Sequence, residues 1–162
     1  MHPLITSARR LALTLTVALG ALTLIGACTR DAESARWARG EAVGRLVAEL
    51  LQQKDSVQSI NLAELAPFRW DRLYIFAPYT SSSAVEEALG EPWSGAERSG
   101  IARVDTAALL VFLAGDDIVA ATMHPREYGD FVPVAGTSAR SQSQALFRID
   151  RLSKGSWLMR DP

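Results

Sequence analysis

Hydrophobic positions along this chain follow three successive patterns. From Leu11 to Ile25 they run almost unbroken, with no polar face. Between Asp31 and Lys54 they recur at helical spacing. Val43, Leu46, Val47, Leu50 and Leu51 fall at i, i+3, i+4, i+7 and i+8, one stripe of a 3.6-residue period. Glu41 and Arg45 add an i,i+4 pair with the acid first, the favourable order. Gly40 and Gly44 each weaken a helix by roughly 1 kcal/mol against alanine. The stretch ahead of Glu41 is therefore expected to be a frayed tether, with a solid helix beginning there.

Beyond residue 55 the period shortens to two. Ser56 to Leu62 alternates as a strand does, although Asn61-x-x-Glu64 equally suits the cap of a short helical turn. Pro67 then disfavours helix at Ala66. In Arg69 to Ala77, Trp70, Tyr74 and Phe76 share one face and Leu73, Ile75 and Ala77 the other. Large apolar groups on both faces predict a strand covered on both sides. Ser83-x-x-Glu86 reads as a capping box for a short helix, with Gly90 at its C-cap and Pro92 as a stop. Trp93 to Val104 reads as a loop. Ala107–Ala114 and Ile118–His124 are apolar runs joined across Gly115-Asp116-Asp117, which suits a hairpin. Val132 to Gln144 reads as a polar loop. Ala145, Phe147 and Ile149 then alternate, Ser153-Lys154-Gly155 turns the chain, and Ser156–Arg160 closes it as a last strand. The order helix, strand, strand, helix, two hairpins predicts an α+β fold: an antiparallel sheet of about five to six strands carrying one long N-terminal helix and one short one.

The first apolar run changes what the rest means. Arg9 and Arg10 precede it, and it ends in Ile25-Gly26-Ala27-Cys28. Positive end, apolar stretch and small residues are the parts of a secretory signal. The last four residues resemble the lipobox of bacterial lipoproteins. The resemblance implies cleavage before Cys28 and lipid on its sulfur and on its new amino group. Two or more chains anchor stably, each buried methylene contributing roughly 0.8 kcal/mol. Thr29 stands where aspartate would favour inner-membrane retention, so the resemblance implies outer-membrane anchoring facing the periplasm, or the outer face of the plasma membrane in a Gram-positive cell. Three other readings compete: an uncleaved membrane helix, an ordinary signal peptide with an incidental cysteine, and a buried helix. Leu11–Ala27 has 17 residues, short of the roughly 20 that span a bilayer. The run also lacks the polar face of a helix lying on a core. The organisation expected is thus a leader over 1–27, a lipidated tether over 28–40 and one α+β domain over 41–162.

Composition narrows the partners. Cys28 is the only cysteine, so no intrachain disulfide is available. Without the two leader arginines, 15 basic residues face 18 acidic ones, a net charge of −3. A mildly acidic surface argues against nucleic acid. Trp70-Asp71-Arg72-Leu73-Tyr74-Ile75-Phe76-Ala77-Pro78-Tyr79-Thr80, followed by Ala88-Leu89-Gly90 and Trp93, is similar to a pattern of small uncharacterised bacterial lipoproteins; it implies no activity.

Catalytic signals are sparse. After the leader there is one histidine, His124, and no His/Cys cluster with metal-ligand spacing, so no metal or cofactor is expected. Ser81, His124 and Asp71 compose a triad only on paper, without nucleophile-elbow glycines. Asp71 is expected to accept backbone N–H groups or pair with an arginine. Trp70, Tyr79, Trp93 and His124 are the candidate binding residues. The leading expectation is a non-enzymatic envelope module that binds a protein or supports envelope assembly. The alternative is a small-ligand binder or weak hydrolase with a pocket near Tyr79, Trp93 and His124.

Overall fold

The computed structural model describes residues 30–52, 57–152 and 156–162. The leader, Cys28 and the Ser153-Lys154-Gly155 turn lie outside the described residues. The chain divides into two units, Met1–Ser34 and Ala35–Pro162. Of the first, residues 30–34 are described and are helical. The second holds every described strand and the buried hydrophobic residues that pack against them.

The fold is α+β. Helix α1 covers every residue from 30 to 52. Seven strands come after it: β1 (Ser59–Asn61), β2 (Arg72–Phe76), β3 (Ala107–Ala114), β4 (Asp117–Pro125), β5 (Gly136–Arg140), β6 (Leu146–Arg151) and β7 (Trp157–Arg160). They form two antiparallel sheets rather than one, a three-stranded sheet β1-β6-β7 and a four-stranded sheet β4-β3-β2-β5. Helices α2 (Leu62–Leu65), α3 (Ser82–Leu89) and α4 (Ser94–Ser99) lie between strands in the chain.

The four-stranded sheet is apolar on both faces, which is why β2 and β3 read as nearly continuous hydrophobic runs. One face sends Leu73, Ile75, Leu110 and Phe112 toward Ile60, Phe147 and Met159 of the other sheet and Val43 and Val47 of α1. The opposite face packs Tyr74, Phe76, Leu109 and Val111 under Val85 and Leu89 of α3 and Trp93 and Ala96 beside and on α4. A parallel bridge between Asp130 and Leu158 fastens the chain after β4 to β7.

Four differences from the sequence pattern have local causes. Trp70 joins Leu73 and Ile75 on their face instead of Tyr74 and Phe76, because the chain bends at Asp71 before β2 begins. There the Asp71 N–H bonds Leu113 O and the Asp71 carboxylate accepts from Gly115 N–H at 2.7 Å, as expected of this residue. Trp93–Val104 is not a loop: α4 forms there because the Trp93 ring lies over Gly95, where a Cβ would come within 2.1 Å of it. Val132–Gln144 contains β5, an exposed edge strand whose small polar residues carry no alternation. The helix α3 is capped by Ser81, which accepts from Ala84 N–H at 3.2 Å, while Glu86 is drawn away to accept from Trp93 N–H at 2.9 Å. Of the stretch Ser56–Leu62, Ser59–Asn61 forms β1 and runs into α2 with Asn61 as the cap residue, while Ser56 lies outside the described residues.

The largest difference concerns Gly40. The helix does not fray ahead of Glu41; it lies along the free edge of β4. A Cβ at Gly40 would sit 2.1 Å from the Ala121 carbonyl oxygen, and Arg39 donates to Val119 O at 2.7 Å. Glycine is there because only a bare Cα fits against that carbonyl. Residues 35–40 thus belong with the sheet rather than with a tether. Gly40→Ala is therefore expected to lower unfolding free energy by about 1–3 kcal/mol through overpacking, although helix propensity alone predicts a gain of about 1 kcal/mol. Urea unfolding decides the sign, and a more stable variant contradicts the close contact.

Candidate functional site

The structure places the four candidate residues in different surroundings. Trp70 is buried, edge-on to Phe112 at 5.3 Å, and its Nε1–H has no acceptor among the described residues. Trp93 is also buried, stacked on Trp37 at 5.9 Å with the rings inclined by 18°. His124 is buried on β4. Tyr79 alone among the four is open to solvent, at 65% exposure.

The triad drawn on paper is not assembled. Asp71 is held at the Leu113 end of β3, and His124 pairs with Ala108 near its other end. Five residues of strand separate those positions, about 17 Å at the usual rise per residue. Ser81 is occupied as the cap of α3.

His124 has a defined tautomer. Its Nε2 lies 3.1 Å from the Tyr128 carbonyl, which can only accept, so Nε2 carries the proton. The Nδ1 lone pair is then buried with no donor among the described residues. Nδ1 faces α1, where a Cβ on Gly44 would lie 3.3 Å away, and Phe131 meets the imidazole edge-on at 5.2 Å. Burial holds the imidazole below its ordinary range, more than the carbonyls of Tyr128 and Gly129 and the charge of Asp130 raise it. The ring is thus a neutral wedge between helix and strand.

Beside it stands a group the sequence pattern does not single out. Asp130 is buried, takes two guanidinium N–H bonds from Arg126 at 3.0 and 2.8 Å, and accepts from Val132 N–H at 2.9 Å. The i,i+4 spacing of Arg126 and Asp130, ahead of Pro133, is the one trace of it in the sequence. A second carboxylate, Glu97, links α3 to α4: the Ser82 hydroxyl and then Arg103 hold it below the usual range.

Three hollows border β4, two of them on its seam with α1 and the third beyond its Pro125 end, away from the helix. One of about 260 Å³ is lined by Gly44, Arg45, Ala48, His124, Pro125 and Tyr128. One of about 360 Å³ lies toward Trp37, Arg98 and Ser99. One of about 620 Å³ lies toward Asp105, Ala107 and Arg126. Met123 borders all three. Neither Tyr79 nor Trp93 lines the hollow that His124 lines. Among the described residues no group of His, Cys, Asp and Glu is arranged to hold a metal ion.

Tyr79 stands in an unusual turn. Thr80 N–H bonds Ala77 O at 3.3 Å across Pro78 and Tyr79, and Tyr79 has φ of 64°. Proline second and a positive φ third is the pattern of a type II turn, whose third position ordinarily takes glycine or asparagine. No protein-family model, curated protein or solved structure matches the chain.

The depressed His124 sets a pH dependence. The unfolded chain takes up a proton near pH 6.5 and the folded chain only lower, so the unfolded state binds more protons between the two. Stability is expected to be flat above about pH 7 and to fall as pH drops below about 6.5. In His124→Gln that slope is expected to vanish, leaving only carboxylate titration at lower pH. Urea midpoints from pH 5 to 8 measure it; an unchanged slope in the variant contradicts the neutral, buried imidazole.

Proposed function

We propose that this chain is a lipid-anchored protein of the bacterial cell envelope whose α+β domain binds a protein partner through the turn at Tyr79. Attachment in this reading rests on Ile25-Gly26-Ala27-Cys28, with Cys28 as the lipidated residue. Among the described residues no helix is long and apolar enough to cross a membrane. A leader before Cys28 and a Thr29 after it support delivery to the outer membrane, facing the periplasm.

The observation that carries the binding role is Tyr79 itself. A left-handed backbone costs a residue with a Cβ about 1–2 kcal/mol. A strained residue normally recovers this through burial, yet Tyr79 is largely exposed. Its N–H is fixed to Ile101 O at 2.9 Å, and Thr80 Oγ1 donates to Ala77 O at 2.7 Å, so the turn holds the ring outward in a set direction. A tyrosine on a fixed turn whose ring is largely exposed and belongs to neither hydrophobic core among the described residues suits the centre of an interface, where tyrosine is among the commonest anchors. A shared pocket of Tyr79, Trp93 and His124 has no comparable support, since Trp93 and His124 are sealed in separate parts of the core.

Stability and binding are expected to separate at this residue. Tyr79→Gly should leave unfolding free energy unchanged or raise it by up to about 1 kcal/mol. A photo-crosslinking residue in place of Tyr79, in native envelopes, should yield one discrete adduct. The absence of an adduct contradicts the reading. Destabilisation by Tyr79→Gly contradicts it too, because it would show the ring to be structural. Intact mass of the native chain tests the anchor separately: a Cys28 carrying a diacylglyceryl thioether, with or without a further acyl chain on its amino group, is expected, and a free thiol or retained leader excludes it.

A further inference from the structure

The unit that carries the sheets begins at Ala35, and that entry point and the Tyr79 turn lie at opposite ends of the four-stranded sheet. Helix α1 runs alongside β4 in the same direction: Arg39 meets Val119, Gly40 meets Ala121 and Gly44 meets His124. Since β4 starts just after the Gly115-Asp116 turn, the first residues of the unit lie toward that turn. Strand β2 runs the same way as β4, both being antiparallel to β3. Arg72 at its start pairs with Leu113 beside the turn, and Phe76 at its end pairs with Leu109. Tyr79 follows three residues later, past the far end.

Chain lengths turn this into a distance. Five residues of helix lead from Gly40 back to Ala35, two residues of strand separate Val111, opposite Ala121, from Leu109, and three residues of chain lead from Phe76 to Tyr79. At the usual rises Ala35 and Tyr79 are roughly 20 Å apart along the sheet. Helix α4 separates the two ends by a second route. Trp37 of α1 stacks on Trp93, just ahead of α4, whereas the Tyr79 N–H bonds Ile101 O, beyond its last residue. Six residues stand between Ala35 and Cys28, and those numbered 30–34 are helical. A chain of that length and form reaches no further than about 15 Å. That is less than the distance from Ala35 to Tyr79.

We propose that Tyr79 engages its partner on the aqueous side, in a water-soluble domain standing clear of the bilayer, and not in a membrane-spanning segment. This rests on Cys28 as the anchor and Tyr79 as the contact, the function proposed for this chain, and adds the kind of partner that fits. A short attachment keeps the Ala35 end of the sheet at the lipid surface and the Tyr79 end away from it. A protein embedded in the same membrane presents its spanning surface at the level of Cys28, out of reach of the ring. The chain beside the ring agrees. Thr80-Ser81-Ser82-Ser83 places four hydroxyls and no large apolar group next to Tyr79, the polar rim of an interface formed in water and not a face turned to lipid.

The test uses the full lipidated chain in phosphatidylethanolamine vesicles doped with a gadolinium-chelating lipid, which speeds the relaxation of amides near the bilayer. The amides of Asp116 and Asp117, at the turn, are expected to relax several-fold faster than those of Tyr79 and Thr80. Equal or reversed rates overturn the proposal. In native envelopes, a photo-crosslinking residue in place of Tyr79 is expected to mark a peptide from a water-exposed domain of the partner. A mark on a membrane-spanning segment overturns the proposal while leaving Tyr79 as a protein contact, and a mark on lipid alone overturns both. No adduct at all removes the contact, and the proposed partner with it, even where the relaxation pattern holds.

Discussion

Everything else in this fold leans on the contact between Gly40 and the Ala121 carbonyl. A four-stranded sheet with two apolar faces needs cover on both, and its outer strands present unpaired backbone groups besides. The second sheet covers one face and α3 with α4 the other. That leaves the β4 edge, a nine-residue strand with few charges and therefore a template for unwanted pairing. Helix α1 closes it. Gly40 lets the helix axis come close enough for Arg39 to reach Val119 O, and Val43 and Val47 then enter the core between the sheets. The helix is thus an edge cover and a core element at once. The other outer strand, β5, is blunted differently, by a register shift between Leu73 and Ile75 and by Arg140, which binds Val134 O and Asp161.

Where a residue's neighbours in sequence decide its structure, the pattern was readable. The β3–β4 hairpin, both covered faces of β2, the Gly90 cap and Val43, Val47 and Leu51 of the α1 stripe all follow from spacing and turn chemistry, whereas Leu46 of that stripe is exposed and Leu50 half-buried. Where distant backbone decides, it was not. Gly40 reads as a helix breaker until the Ala121 carbonyl is placed beside it. Gly95 reads as loop until the Trp93 ring is laid across it. Trp70 has the parity of Tyr74, yet the Asp71–Gly115 bond bends the chain and turns it to the other face. β5 has no alternation to detect, because exposed side chains need none.

The candidate residues divide on the same principle. Asp71 was legible because a carboxylate beside a hairpin turn has few uses other than accepting backbone N–H groups. Trp70, Trp93 and His124 could not be sorted into core or surface from alternation, since aromatic residues fill both, and all three are core. Tyr79 was marked by its position after Pro78, outside the regular strand, though its left-handed backbone was not visible. His124 is the most telling of these. An unpaired Nδ1 against Gly44 makes the imidazole a spacer that sets how closely α1 approaches β4, and so shapes the hollow beside it.

The helix over the strand edge is tested most directly by where the folded domain begins. Two chains, one starting at Ala35 and one at Glu41, differ in residues 35–40, which carry Arg39 and Gly40 at Val119 and Ala121 and Trp37 against Trp93; Trp37→Ala in the longer chain separates the ring from the edge contact. Their unfolding transitions and their mass in solution should differ sharply. The longer chain is expected to unfold cooperatively and remain monomeric, and the shorter to lose its transition or associate through the bared β4 edge. A chain from Glu41 that is as stable and as monomeric as the longer one contradicts the account.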